Sequence, residues 1–273
     1  MKPIKKVALV HSLCSVGKAS MTNMIPILSA MGVEVCPIPT VLLSTHTGGY
    51  GLPTRQTVEI SYLRDSAAHF AQNDVQFDVI FVGYLGSIEM AEEVLKFIEN
   101  FPKAKVIVDP IMGDHGTFYG SLGQEYADSY LKLCKRADLI LPNLTEACFL
   151  NGTSYESIKT LEDVTELGEN LYQKGIGRVV LTSIPAKEGE VAVATMHKGD
   201  AEVLSFPKAE AGFHGTGDAF DAVLIGSLLK GKSLKDAVTK AHAFTAYCIR
   251  ESAKENYPKR EGLMIEKCLS LLV

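Results

Sequence analysis

The sequence has no tryptophan, no C-x-x-C pair, no H-x-x-x-H pair and no run of basic residues. Each absence removes a class of protein. The six cysteines, Cys14, Cys36, Cys134, Cys148, Cys248 and Cys268, match no zinc-site spacing. Most lie among apolar neighbours, which predicts buried, reduced, structural thiols. Cys14 is the exception, because it falls in a segment expected near an active site. Without paired histidines a zinc hydrolase lacks its ligands. A net charge of −5 without a Lys/Arg cluster offers nucleic acid no electrostatic footprint. No apolar stretch nears the ~18 residues of a membrane span, and Val7–Val10 is too short for the core of a signal peptide. These absences point to the cytoplasm, with no nucleic acid and no membrane as partner.

What is present suits a soluble enzyme. The 273 residues are 47% hydrophobic and 22% charged, enough for a sizeable core. Short apolar, β-branched runs alternate with helical patterns. Strands are predicted at Val7–Val10, Val33–Ile38, Asp78–Val82, Lys105–Val108, Leu139–Leu141 and Arg178–Leu181. Helices are predicted near 18–31, 54–72, 87–99, 123–136, 145–150 and 161–174. Such alternation means a mostly parallel sheet covered by helices on both faces. Gly32, Gly175 and Gly231 are placed to end helices. Glu190–Met196 and Ala201–Phe206 read as a hairpin around His197-Lys198-Gly199-Asp200. Long helices near 218–230 and 234–251 follow, and a last one near 261–272. No repeat or linker divides the chain, so one domain, 1–273, is expected.

The most informative segment is Gly215-Thr216-Gly217-Asp218, which runs directly into the apolar stretch Ala219–Ile225. Two glycines allow a tight turn, and a helix start presents unpaired N–H groups and the positive end of the helix dipole to an anion. An aspartate inside that turn can take a proton from an alcohol. Anion hole plus base is minimal equipment for phosphoryl transfer. The plainer alternative is a glycine turn whose aspartate merely caps the helix.

Sheets of this kind carry their sites beyond the carboxyl ends of the strands. The segments there hold Ser12, Tyr84, Asp109, Asn143 with Glu146, and Thr182-Ser183. Asp109 opens Asp-Pro-Ile-Met-Gly-Asp-His-Gly, a carboxylate before a glycine-rich flap that suits a metal–phosphate site. Asn143 and Glu146 lie three apart at a helix start, where they could hold Mg²⁺ through its waters or simply cap the helix. Ser44-Thr45-His46-Thr47-Gly48-Gly49 is a polar loop suited to binding a small molecule, and Tyr84 lies between two glycines where its ring could stack on a heterocycle. Val16-Gly17-Lys18-Ala19-Ser20 looks like the tail of a P-loop, but it lacks the earlier glycine and the Ser/Thr after lysine.

Together these motifs resemble the ribokinase-like superfamily and, within it, the pyridoxal kinases. The narrower signals are Ser44-Thr45-His46-Thr47-Gly48, Gly83-Tyr84-Leu85-Gly86-Ser87, Asp109-Pro110-Ile111-Met112-Gly113-Asp114 and Pro142-Asn143-Leu144-Thr145-Glu146. The resemblance implies a three-layer α/β/α sandwich with an added hairpin, Mg²⁺ with ATP as phosphoryl donor, and a B6 vitamer as acceptor. It also implies a homodimer and leaves a monovalent cation open. Asp218 would be the base for the 5′-hydroxymethyl group, with Gly215, Thr216 and Gly217 stabilising the phosphoryl group. Asp109 and Glu146 would organise the metal, with Asn143, Thr182 and Ser183 beside the nucleotide. Ser12, His46, Thr47 and Tyr84 would hold the ring, and residues 114–120 would form a lid. Ser15 and Met21 depart from the family pattern over the ring, and Ser183 stands where some relatives have lysine. A sibling kinase of hydroxymethylpyrimidine, or a non-catalytic vitamer-binding protein, are the competing readings.

Overall fold

A computed structural model describes residues 4–120, 122–198, 200–209 and 211–273. Gly199 in the expected hairpin turn and Glu210 in the loop after it lie outside the described residues. In chain order the elements are β1 Lys5–Val16, α1 Met21–Ala30, β2 Val33–Thr45, β3 Arg55–Thr57, α2 Ile60–Gln72, β4 Val79–Val82, α3 Ile88–Glu99 and β5 Lys105–Val108. Then come β6 Gly113–Asp114, β7 Thr117–Phe118, α4 Gln124–Arg136, β8 Leu139–Ile140, α5 Leu144–Asn151, α6 Leu161–Gln173 and β9 Arg178–Ile184. β10 Glu190–His197, β11 Asp200–Pro207, α7 Thr216–Leu229 and α8 Leu234–Lys254 complete the order. The chain is mixed α/β with mostly parallel strand pairing. It divides into two compact units, one running up to Glu59 and resuming over Lys208–Val273, the other Ile60–Pro207.

In the first unit β1 and β2 run parallel, and β3 adds antiparallel to β2 over Val41–Leu43. Both β1 and β2 are far longer than their apolar runs suggest. Pro37 and Pro39 interrupt the sequence pattern of β2, yet stay in register with Leu9 and His11. Pairing with β2 also claims Arg55–Thr57, so α2 starts at Ile60 rather than near 54. The ladder slips between His11 and Leu13, a bulge at Ser12. Bulges of this kind re-aim side chains and gather beside functional sites. Helix α7 packs against both α1 and α8. Its residues Ala219–Ser227 are all buried, which explains an apolar run without amphipathic period. The helix expected near 261–272 is instead three short 3₁₀ turns, at Lys259–Glu261, Ile265–Lys267 and Leu269–Leu271. Leu263, Ile265, Cys268 and Leu272 are buried as an amphipathic helix would bury them, but Gly262 at φ 77° breaks the path.

In the second unit the strand order is β11-β10-β9-β8-β5-β4. The four strands β4, β5, β8 and β9 are parallel, and β9, β10 and β11 are antiparallel, so the expected hairpin is present. Helices α2 to α6 pack in series. Val79–Val82 is buried throughout, as expected of a strand covered on both faces. Gly32, Gly175 and Gly231 all have positive φ just past helix ends, as their positions predicted.

Candidate active site

The first unit carries a carboxylate gripped from two sides. Gly215 caps α7 in the left-handed region, at φ 78° and ψ 11°. A Cβ there would collide with the Lys18 carbonyl oxygen, so conformation and space both demand glycine. Asn23, fully buried, donates from Nδ2 to the Gly215 carbonyl at 2.6 Å and anchors the turn. A Cβ on Gly217 would meet nothing within 4 Å, so the helix start faces open space where an anion could approach its N–H groups. Asp218 lies in the first turn of α7, with its side chain 12% exposed.

Both oxygens of Asp218 accept hydrogen bonds. His11 Nε2 lies 3.1 Å from Oδ1, and the Ser20 backbone N–H donates to Oδ2 at 2.7 Å. Ser20 has φ 57° and ψ −140°, a region that costs a non-glycine residue about 1–3 kcal/mol. That strained backbone aims its N–H at Asp218. Ser12, buried at the β1 bulge, shares a hydrogen bond with Ser20 through their hydroxyls at 2.8 Å. Cys14 is buried too, and burial, then the Asp218 charge, push its thiol up to about 11. It is therefore a neutral thiol at neutral pH. Sequence reasoning found Asp218 and Ser12 but passed over His11. Its signal was a polar residue directly after the apolar run Val7–Val10.

Thr47 is exposed on the loop after β2. His46 is buried, and both its ring nitrogens meet backbone: Gly48 N–H donates to Nδ1 at 3.0 Å, and Nε2 donates to the Arg260 carbonyl at 2.6 Å. The imidazole thus shapes the loop that presents Thr47. The His214 ring lies 4.8 Å from it, with its pKa lowered by burial and by His46. Lys18 ties its segment to the C-terminal stretch. Its backbone N–H donates to the Glu261 carbonyl at 3.0 Å, and its Nζ reaches Tyr257 Oη at 2.8 Å and Glu266 at 3.3 Å.

The second unit carries the other carboxylates. Tyr84, Asp109, Asn143 and Thr182-Ser183 lie at or beyond the carboxyl ends of β4, β5, β8 and β9. These strands are adjacent and parallel, so the four positions share one edge. Asp109 and Glu146 are both buried. Asn143 and Glu146 form a reciprocal capping box on α5: Glu146 N–H donates to Asn143 Oδ1 at 3.0 Å, and Asn143 N–H to Glu146 Oε2 at 2.8 Å. Asn143 Nδ2 donates to the Gly113 carbonyl at 2.9 Å, and Met112 N–H to Glu146 Oε1 at 3.2 Å. The helix-cap reading of this motif is therefore correct, and the cap also aims Glu146. Despite two backbone donors, burial and the neighbouring Asp109 charge hold the Glu146 carboxyl well above the usual range.

A cation would relieve that strain. Among the described residues no group of three or more His, Cys, Asp or Glu could hold a metal. Two carboxylates suit Mg²⁺, which keeps several waters and takes its remaining ligands from phosphates.

Ser183 was expected just past a strand end, but β9 continues to Ile184 and Ser183 lies within it at φ 59°. The ladder to β10 slips there, between Ala192 and Ala194. Thr182 N–H donates to the Pro142 carbonyl at 3.0 Å, next to Asn143. The expected flap is a hairpin of β6 and β7, turned at His115 and Gly116, both at positive φ as a type I′ turn requires. It is docked on α5: Gly116 N–H donates to Thr145 Oγ1 at 2.9 Å, and Phe118 stacks on Phe149 at 3.7 Å. His115 pairs with Asp114 on the exposed turn. The Tyr84 loop is braced by two buried tyrosines of α4. Tyr126 Oη accepts from the Gly86 N–H at 3.2 Å, and Tyr130 Oη donates to the Gly83 carbonyl. Ser87 caps α3. No helix among the described residues is long and apolar enough to cross a membrane.

The phosphomethylpyrimidine kinase family profile matches residues 25–261, so the chain belongs to that family. A pyridoxine/pyridoxal/pyridoxamine kinase of Bordetella avium is 32% identical over 254 residues, 86% of this chain and 83% of that protein. A Bacteroides thetaiotaomicron protein, provisionally assigned as a phosphomethylpyrimidine kinase and crystallised in a form with pyridoxal, is 36% identical with a TM-score of 0.92, over 98% of this chain and 96% of that one. The pyridoxal kinase of Lactobacillus plantarum is 28% identical with a TM-score of 0.90, over 98% and 96%. The chain is a kinase with the ribokinase-like fold.

Proposed function

We propose that this kinase transfers the γ-phosphoryl group of ATP to the 5′-hydroxymethyl group of pyridoxal, pyridoxine or pyridoxamine. The observation that carries the reading is Asp218, held by donors on both oxygens inside a glycine turn at a helix start. Relatives that act on B6 vitamers, and one crystallised with pyridoxal, support the acceptor.

In the proposed mechanism Asp218 accepts the hydroxyl proton as the oxygen attacks in line. The N–H groups of Gly215, Thr216 and Gly217 receive the phosphoryl oxygens, where fixed dipoles stabilise developing charge. Asp109 and Glu146 would hold Mg²⁺, with Asn143 fixing Glu146 through the capping box, and the metal when bound would supply positive charge against the phosphates. Thr182 and Ser183 face the nucleotide, while Ser12, Thr47 and Tyr84 hold the ring and His46 holds the Thr47 loop. Residues 1–273 act as one kinase domain, in the cytoplasm and as a homodimer, which sedimentation would check.

The second reading is a hydroxymethylpyrimidine kinase, favoured by the description of the matching family. The test is ADP release with Mg-ATP against the three B6 vitamers and hydroxymethylpyrimidine in parallel. Turnover on a vitamer well above the pyrimidine supports the proposal. The reverse ranking overturns it. Binding of a vitamer without ADP release would reveal a non-catalytic binding protein.

A further inference from the structure

We infer that His11 is the positioning residue of the base: a neutral imidazole that fixes the Asp218 carboxylate for proton transfer. The inference rests on the reading of Asp218 as base. His11 is 1% exposed, at the β1 bulge that begins at Ser12. The Ser12 N–H donates to Nδ1 at 2.7 Å, so Nδ1 must present its lone pair. The ring proton is therefore on Nε2, which donates to Asp218 Oδ1 at 3.1 Å. One backbone amide thus selects the tautomer that makes this contact.

The grip is completed from the other side. Ser20 N–H holds Oδ2 at 2.7 Å, and the Ser20 hydroxyl is linked to Ser12, the residue after His11. Two donors on two oxygens leave the carboxylate plane no freedom to rotate. Each oxygen keeps a further lone pair, so the group can still accept the substrate proton. The donor is neutral, which matters for a base. An arginine in its place would orient the carboxylate equally well but would weaken its proton affinity by direct charge pairing. The neighbouring Cys14 thiol is neutral as well. The site therefore orients Asp218 without placing a formal positive charge against it.

Misplacing a reacting group by an ångström can cost about 100-fold in rate, so His11→Leu is expected to lower kcat about 10–100-fold. KM for ATP and for the vitamer should stay within about threefold, since His11 acts through Asp218 and touches neither substrate. His11→Gln keeps an N–H donor at the Nε2 position and should recover kcat to within about fivefold of the parent enzyme. In an Asp218→Asn background, His11→Leu should cost nothing further, because residues acting as a unit are not additive.

The experiment is a steady-state comparison of the parent enzyme, His11→Leu, His11→Met, His11→Gln, Asp218→Asn and the double variant, each with its melting temperature. His11→Met supplies the apolar arm if His11→Leu does not fold. A kcat loss in the apolar variants with rescue by glutamine supports the inference. Glutamine no better than the apolar variants, a loss confined to KM, or additive losses in the double variant would overturn it. Full activity in Asp218→Asn would instead overturn the reading of Asp218 as base, and is distinguishable because it needs no His11 variant.

Discussion

Asp218 and Glu146 are both carboxylates in the first turn of a helix, yet their surroundings are opposite. Asp218 meets donors on both oxygens, and its partners, His11, Ser20 and Cys14, bring it no second negative charge. Glu146 also receives two N–H groups, but it is buried beside Asp109 and its carboxyl is driven up. The first is satisfied by the protein alone. The second is favoured when a proton or a cation joins it. On the proposed roles the contrast would match the two tasks of a kinase: a base ready before substrate arrives, and a metal site left short of positive charge so that metal completes it.

The largest expected effect breaks the first half of that contrast. Asp218→Asn keeps the shape and removes the proposed base, so kcat should fall about 10²–10⁴-fold while ATP still binds, as single-turnover kinetics and nucleotide titration would show.

Glu146→Gln tests the other half. If Glu146 has its proposed role, the Mg-ATP requirement should rise about tenfold or more in steady-state assays, because a charged ligand would be lost. Its stability signature has a definite sign. The folded pKa of Glu146 lies above its unfolded value, so its contribution to stability is fully present below the unfolded pKa and is lost as pH rises through the folded pKa. Metal-free parent protein should therefore lose melting temperature as pH rises over that interval, and Glu146→Gln should lose less. An equal loss in both would show that Glu146 is not the group under strain.

Smaller effects sharpen the comparison. Tyr126→Phe removes the acceptor for the Gly86 N–H and loosens the Tyr84 loop. A hydrogen bond of about 1 kcal/mol corresponds to about fivefold in vitamer KM, with ATP KM unchanged. Lys18→Met breaks a partly exposed pair with Glu266 and the bond to Tyr257. It should cost at most about 1 kcal/mol, a few degrees of melting temperature. The thiols should react slowest where burial holds them protonated. Partly exposed Cys36 should be alkylated before Cys14, whose thiol is raised to about 11, in a peptide-mapping time course at pH 7.5.

Much of this was legible in the residues. The strand and helix alternation, the hairpin and the glycine turn at 215–217 are local patterns, and local patterns survive folding. Asn143 and Glu146 were readable as either cap or site, and they are a cap that also orients Glu146. His11 left only the trace of a polar residue after Val7–Val10, and its role was hidden because its partner Asp218 lies 207 positions away and no periodicity encodes such a pair. The lengths of β1 and β2 were hidden for a related reason: pairing, not composition, carries those strands through Ser12 and past Pro37. The stretch 261–272 had the apolar spacing of a helix, but Gly262 overrides it. The lid looked like a free glycine-rich flap, and only the contacts of Gly116 with Thr145 and of Phe118 with Phe149 show it docked.

The most direct test is to follow pyridoxal 5′-phosphate formation from pyridoxal and Mg-ATP by parent enzyme and Asp218→Asn side by side. The account predicts phosphorylated product from the parent enzyme and almost none from the variant, with both still binding ATP. No product from the parent enzyme, or equal product from both, would contradict it.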